Sequence, residues 1–168
     1  MRPLIFLGLV ISLSMSIACA QEGPQVFKDQ DSCSAHSGVR IPKYRIARSI
    51  RPERKGNLVL FLSISPEDAE RGSLIALACG LGSRYASETF LYVYIFDSRD
   101  AAKHYNPQGE GNTVQEEASY LGFCGFGRVP DFYGAQLSLL GKIAHPFRDR
   151  TDIDLGPPPP VPEREHSK

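Results

Sequence analysis

The clearest candidate for a binding site is a set of serine and aspartate side chains placed where two apolar, strand-like runs end. Ser63 and Ser65 close the run 57–64 (NLVLFLSI), while Asp97 and Ser98 close the run 90–96 (FLYVYIF). In open α/β sheets, ligands settle where parallel strands end and helices begin. Hydroxyl and carboxylate oxygens at that edge would hydrogen-bond a polar ligand.

The same four residues have a purely structural alternative. Ser65 precedes Pro66-Glu67-Asp68, a typical helix start with proline at the first helical position and acids in the first turn. Asp97 precedes a second such start. As helix caps, Ser65 and Asp97 would satisfy free backbone donors, and a capped helix end has less to offer a ligand.

A second candidate is a basic stretch between residues 40 and 55. It holds seven cations opposed by Glu53 alone, and Arg45, Arg48, Arg51 and Arg54 are the residues we expect to dock an anionic surface. Such a surface could be an anionic glycan, a phosphate-bearing lipid head or an acidic protein. The alternative is an edge strand whose charges prevent edge-to-edge aggregation.

Candidates for catalysis or metal binding are weaker. Cys124 with His104 or His145 would make a thiol enzyme only if the fold brought them together. Cys33-x-x-His36 has metal-ligand spacing, but one pair is not a metal site. No phosphate-binding glycine loop or Gly-x-Ser-x-Gly motif is present. We therefore assign no catalytic residue, metal or cofactor.

The first twenty residues have the pattern of an export signal. Arg2 is followed by an apolar run from Leu4 to about Ile17, and Ala18-x-Ala20 fits a signal-peptidase site with cleavage before Gln21. The alternative of a membrane anchor is disfavoured because no cluster of basic residues follows the run. The segment 15–19 also resembles the lipobox of bacterial lipoproteins, although Ser16 stands where that motif prefers leucine, and this makes Cys19 a lipidation candidate.

Three cysteines remain after such a cleavage, and all are disulfide candidates. They are Cys33, Cys79 and Cys124, an odd number, so the simplest outcome in an oxidising compartment is one disulfide and one free thiol. Sequence alone leaves the three pairings open. A bond from Cys33 to the folded body would close the longest loops and stabilise most.

The elements that would position these residues predict an α+β fold. Strands are expected over 43–50, 57–64, 90–96, 119–126 and 136–143, with one helix over 66–85 and a short one stopped near Asn106. Leu74, Leu77, Ala78 and Leu81 form the apolar stripe of the first helix. The expected order is β-β-α-β-α-β-β, a small mixed sheet around a central right-handed βαβ unit with helices packed on it.

The chain ends differ in composition from this domain. After the signal over 1–20, residues 21–40 are polar and predict a flexible arm, and the single folded domain is expected over 41–150. Residues 151–168 contain a proline run and predict a disordered, extended tail.

Composition narrows the function classes. With Arg2 set aside as part of the signal, 18 basic and 19 acidic side chains remain, so nothing attracts the chain as a whole to nucleic acid or to an anionic membrane. We expect an exported, non-enzymatic binding or interaction module of the bacterial envelope, secreted or periplasmic, touching a membrane only through a lipid at Cys19. The alternative is a small thiol- or carboxylate-dependent hydrolase whose site assembles only in three dimensions. Its partner is unknown, with an envelope protein, a glycan or an anionic surface as the candidates.

Overall fold

The structure is a computed structural model that describes residues 26–53, 56–141 and 148–160. It is a mixed α/β arrangement in which a seven-stranded sheet dominates and helices are few. The strands are β1 (Val26–Gln30), β2 (Tyr44–Ile50), β3 (Asn57–Ile64), β4 (Phe90–Phe96), β5 (Tyr120–Val129), β6 (Phe132–Leu140) and β7 (Arg148–Gly156). The helices are α1 (Arg71–Arg84), α2 (Arg99–His104) and α3 (Val114–Ala118).

The strands lie side by side in the order β1-β7-β6-β5-β4-β3-β2. β3 and β4 are parallel neighbours with α1 between them in the chain, and β1 is parallel to β7. The remaining neighbours are antiparallel, including β5 and β6, as their short connection predicts. The carboxyl ends of β3 and β4 therefore meet at one end of the sheet.

The main core lies between α1 and one face of the sheet. Alternate residues of β3 and β4, such as Leu60 and Val93, point to this face and are almost fully buried. The predicted stripe on α1 is buried, but so are Ile75, Ala76 and Cys79 beside it. The segment before β2 also packs on α1, since Cys33 forms a disulfide with Cys79 and Ile41 lies against Gly80.

The arm and tail differ from what the sequence predicts. Part of residues 21–40 forms β1, and the start of the expected tail 151–168 forms most of β7. β1 has little apolar character and is held by backbone pairing to β7, a long-range contact that local composition does not show. In β7 the buried residues Thr151, Ile153 and Leu155 alternate with the aspartates Asp152 and Asp154, which is a strand pattern. The prediction missed this pattern because it assigned the residues to the same tail as the proline run that follows.

The element order also differs from the predicted β-β-α-β-α-β-β, since the structure adds β1, α3 and β7. α3 begins with a capping box, in which Thr113 Oγ1 accepts from the Glu116 amide and the Glu116 carboxylate accepts from the Thr113 amide. The Thr-x-x-Glu spacing is a sequence signal for this helix that the prediction overlooked.

The start of the first long helix is corrected as well. Residues Pro66–Asp68 form a single 3₁₀ turn, and α1 begins only at Arg71. The chain leaves the helical region at Ala69, where ψ is 59°, and at Glu70, where ψ is 149°. The start signal at Ser65 therefore produces one turn and not a continuous helix.

Among the described residues, helical cover on the opposite face of the sheet is found at one end. There α2 packs Ala101 and Ala102 against Phe61 and Phe96, which together with Tyr105 form a second, smaller core. Among the described residues, no helix combines the length and the apolar character required to cross a bilayer.

Candidate functional site

The ends of β3 and β4 form one side of a groove of about 950 Å³, called the strand-end groove below. The parallel register pairs Ser63 with Phe96, so that Asp97 comes one residue further along, level with Ile64. Ser63, Ser65 and Asp97 all line this groove. The structure thus brings together three of the four side chains that the sequence places at this edge.

The fourth residue, Ser98, has a different position. It caps α2, where its Oγ accepts a hydrogen bond from the amide of Ala101 at 3.3 Å. Because Ser98 is the cap, Asp97 is not, and the interpretation of Asp97 as a helix cap is wrong. Ser98 is outside the lining of the strand-end groove as the structure defines it.

Ser65 does not act as a cap either. It occupies the residue before the 3₁₀ turn, but its side chain makes no capping hydrogen bond. The carboxylate of Asp97 accepts no hydrogen bond from any residue that the structure describes. The oxygens of both side chains therefore keep the capacity to bond a ligand.

Four cations line the same groove as these oxygens. Arg45 enters from the edge strand β2 and Arg99 from the first turn of α2. Lys43 and Arg84 complete the set, and Arg84 also donates to the Tyr44 hydroxyl at 2.9 Å. Four cations and one carboxylate make a site whose potential favours an anion, with a hydrogen-bond acceptor on one wall.

The predicted basic stretch is divided among different surroundings. Arg45 is exposed and lines the groove. Arg48 is half-buried, with its guanidinium 3.8 Å from the ring centroid of Phe61, and it donates to the carbonyl of Tyr105 at 2.5 Å. Burial lowers the pKa of Arg48. As a docking residue Arg48 is therefore misassigned, because its charged group is committed to the interior.

Arg51 differs from Arg45 because it already forms an ion pair within the protein. Its Nη2 lies 2.9 Å from Oε1 of Glu88, a residue that is 9% exposed. Arg54 lies outside the described residues. Of the four arginines chosen for an anionic surface, Arg45 is the one the structure places in the strand-end groove.

The cysteines arrange themselves as one disulfide and one buried thiol. Cys33 is bonded to Cys79, and Cys124 is free at 0% exposure. Burial raises the pKa of the Cys124 thiol far above its ordinary value. Since a nucleophilic cysteine must be an accessible thiolate, this geometry does not support Cys124 as a catalytic residue. Cys19 lies outside the described residues.

The Cys33-x-x-His36 spacing has a structural explanation. Cys33 is consumed by the disulfide, and His36 Nε2 lies 3.0 Å from both carboxylate oxygens of Asp31. Burial acts to raise the pKa of Asp31, but hydrogen bonds from Ser32 and His36 outweigh it, and the net shift is downward. The described part of the chain holds no group of three or more potential metal ligands.

Some of the cations that line the groove were not predicted from the sequence as site residues. Arg99 could have been found, since it directly follows Asp97 and Ser98. Lys43 belongs to the basic stretch, although its spacing did not place it beside the strand ends. Arg84 carried no signal, because it reaches the groove from the end of α1. Only the packing of α1 and β2 against the strand ends brings them there.

Comparison with protein-family models, with curated proteins and with solved structures finds no match for the chain. The function is therefore inferred from the residues and their geometry.

Proposed function

We propose that this protein is an exported, non-enzymatic binding module of the bacterial envelope, and that its strand-end groove binds a phosphate ester that also carries hydroxyl groups. The observation that carries the proposal is the meeting of Arg45 and Arg99 with Ser63, Ser65 and Asp97 around one groove. In this proposal the connection β3–α1–β4 has the right-handed sense of nearly all such crossovers.

The cations define the anionic part of the ligand. Arginine donors match a phosphate through paired hydrogen bonds, and a charge-assisted bond is stronger than one between neutral groups. Arg45 and Arg99 have no carboxylate partner among the described residues, so they do not have to break an ion pair in order to bind.

Asp97 defines the rest of the ligand. A carboxylate beside the anion site would repel a second negative charge, but it accepts hydrogen bonds from hydroxyl groups. Ser63 and Ser65 can donate as well as accept. A phosphate ester of a polyol satisfies both halves of the groove, whereas a polyanion satisfies only the cations.

The location outside the cytoplasm is supported by two kinds of observation. Residues 1–20 have the pattern of an export signal. The Cys33–Cys79 disulfide is compatible with an oxidising compartment. Mass spectrometry of the mature N-terminus tests the location: Gln21 or a lipid-modified Cys19 supports export, and an intact Met1 in the cytosolic fraction contradicts it.

Calorimetric titration tests the ligand, with sn-glycerol 3-phosphate as the soluble probe. Vesicles that contain phosphatidylglycerol present the same chemistry as a lipid headgroup, with phosphatidylcholine vesicles as the uncharged reference. Binding to the free ester points to a soluble ligand, and binding to the anionic vesicles alone points to the headgroup. Binding to neither probe contradicts the proposal.

Variants locate the binding in the groove. Arg45→Gln and Arg99→Gln should each weaken binding roughly tenfold or more, because each removes a charge-assisted hydrogen bond. Arg51→Gln is the matched control, since it loses the same charge at an arginine that is paired with Glu88 and lies outside the groove lining. Equal losses in all three variants would indicate a diffuse charge effect and would contradict a specific site.

A further inference from the structure

The sheet face opposite α1 carries a row of aromatic side chains that starts at Tyr94, which packs against the smaller core, and continues beyond the end that α2 covers. We call the side chains of Phe90, Tyr92, Tyr94, Phe123 and Phe132 the aromatic platform. The first three are alternate residues of β4 and point away from the core residues Leu91, Val93 and Ile95. Four of the five are half-buried, and Phe132 is 44% exposed, so ring surface remains available to a ligand.

The rings form a continuous series across three strands. The centroids of Phe90 and Tyr92 lie 6.1 Å apart with planes 2° from parallel, and those of Tyr92 and Phe123 lie 6.0 Å apart at 19°. Phe132 continues the series from Phe90 at 6.4 Å and 19°. A Cβ at Gly127 would overlap the ring of Phe132, so this glycine permits the close approach.

A polar cluster lies at one end of the platform, with Ser138 and Asp152 buried and Arg150 exposed. Arg150 grips the carboxylate of Asp152 through Nε at 2.8 Å and Nη2 at 3.1 Å. Ser138 donates to the same carboxylate at 2.6 Å. Ser138 and Asp152 are each 7% exposed. Such burial is rare for an aspartate unless it is paired, as Asp152 is with Arg150.

The cluster borders a cavity next to the rings. Arg150 and Ser138 line a cavity of about 270 Å³ together with Tyr94 and Phe123. The Nη1 group of Arg150 takes part in none of its hydrogen bonds to described residues, so it remains a donor for a ligand. A second groove of about 560 Å³ runs past Phe132 and the exposed amide of Gln136.

The balance of charge selects the class of ligand. Arg150 and Asp152 neutralise each other, and the groove past Phe132 and Gln136 is also lined by Lys28, Asp29 and Asp154, so cations are not in excess there. A nucleic acid would need unpaired cations along the rings, and a purely apolar partner would cover the Nη1 donor of Arg150 without giving it a hydrogen bond. A sugar ring fits both parts, because its C–H faces pack on the electron-rich faces of aromatic rings and its hydroxyls bond planar polar groups.

We propose that the aromatic platform binds an uncharged oligosaccharide, with sugar rings stacked on Tyr92 and Phe123 and hydroxyls bonded by Arg150 and Gln136. This is a second binding site at the middle of the sheet, separate in its residues from the strand-end groove. A glycan would hold the protein at a surface while the groove remains open to its own ligand.

Titration with chitotetraose, cellotetraose and maltotetraose tests the proposal, by calorimetry and by saturation-transfer NMR. We expect at least one of the three to bind. Tyr92→Ala should weaken that binding about tenfold, while Tyr92→Phe should keep most of it because stacking needs the ring and not the hydroxyl. Gln136 is exposed, and its side chain makes no hydrogen bond to another residue that the structure describes. Gln136→Ala should therefore weaken oligosaccharide binding several-fold without loss of stability.

The same series includes the outcomes that would overturn the proposal. Arg45→Gln and Arg99→Gln should bind the oligosaccharide as the parent does, so a failure of the strand-end groove is distinguishable from a failure of the platform. The platform proposal is wrong if none of the three tetrasaccharides binds at millimolar concentration. It is also wrong if Tyr92→Ala binds normally while keeping the parent's melting temperature, or if the platform is occupied by a second copy of the chain, seen as a dimer that Tyr92→Ala dissociates.

Discussion

Arg48 lies over the ring of Phe61, with its guanidinium carbon 3.8 Å from the ring centroid. Arg48 belongs to the basic strand β2, yet it packs against the smaller core. Its guanidinium also donates a hydrogen bond to the carbonyl of Tyr105 and so connects β2 to that core. A run of cations in a sequence can therefore mix groups that hold the fold with groups that remain free to bind.

Replacing these two kinds of arginine should have different effects on stability. Arg48→Ala should lower the free energy of unfolding by about 1–3 kcal/mol, because it removes a partly desolvated cation–π contact and a charge-assisted hydrogen bond. Arg45→Ala should change it by about 0.5 kcal/mol or less, since Arg45 is exposed. Urea denaturation measures both, and equal effects would show that Arg48 has no structural role.

Two glycines of α1 should respond in opposite ways to alanine. A Cβ at Gly82 would lie 2.5 Å from the ring of Phe126, which is fully buried and has no room to move, so Gly82→Ala should destabilise by about 1–3 kcal/mol. A Cβ at Gly72 meets nothing within 4 Å, so Gly72→Ala should stabilise the helix by up to about 1 kcal/mol. Thermal unfolding of both variants checks the helix–sheet spacing, and a Gly82→Ala variant as stable as Gly72→Ala would contradict it.

The disulfide should contribute strongly to stability. Cys33 and Cys79 are 46 residues apart, and closing a loop of that length removes about 4 kcal/mol of chain entropy from the unfolded state. The paired variant Cys33→Ser with Cys79→Ser should lose a comparable amount in urea denaturation, and adding a reductant should have no further effect on it.

Thiol titration is the companion measurement. The form that begins at Gln21 should show no reactive thiol when native and one, Cys124, when unfolded without reductant. A reactive thiol in the native protein would contradict the burial of Cys124.

Asp152 should make stability depend on pH in the acid range. Burial acts to raise its pKa, but hydrogen bonds from Arg150 and Ser138 outweigh burial and hold the pKa below its ordinary value. The unfolded state therefore takes up a proton first as the pH falls, so the stability from Asp152 is complete above about pH 5 and is lost as the pH falls through the unfolded and then the lowered folded pKa. Asp152→Asn should cost about 1–3 kcal/mol at pH 7.

The difference between Asp152→Asn and the parent is the quantity to follow. It should shrink as the pH falls from 5 to 2.5, because the parent loses the contribution that the variant already lacks. Asp31 and Glu116 also have lowered pKa values, so the parent alone cannot report on Asp152. A difference that stays constant over this range would contradict the depressed pKa.

Local patterns predicted the elements that carry strong local signals. The continuous apolar runs of β3 and β4 and the Asp97-Ser98 start of α2 lie where the sequence places them. The strand ends, and with them Ser63 and Asp97, follow from these runs. β1 and the chain segment over α1 could not be predicted in this way, since their stability comes from pairing with β7 and from the disulfide to Cys79.

The candidate site shows the same division. Serine and aspartate at a strand end are visible in sequence because they are adjacent to a hydrophobic run. The cations of the groove come from β2 and the residue before it, from the end of α1 and from the start of α2. Their spacing in the sequence does not predict that these three elements converge. The aromatic platform was hidden for a related reason: Phe90, Tyr92 and Tyr94 lie in a run that is apolar on both faces, which predicts a strand buried on both sides.

The most direct test of the strand-end groove is a ¹H–¹⁵N correlation spectrum recorded while sn-glycerol 3-phosphate is added. The amide resonances of Ser63, Ser65 and Asp97 should shift in a saturable manner, and those of Tyr92 and Phe123 on the aromatic platform should remain in place. Shifts confined to residues away from the ends of β3 and β4, or a spectrum that does not change at millimolar ester, would contradict the proposed binding site.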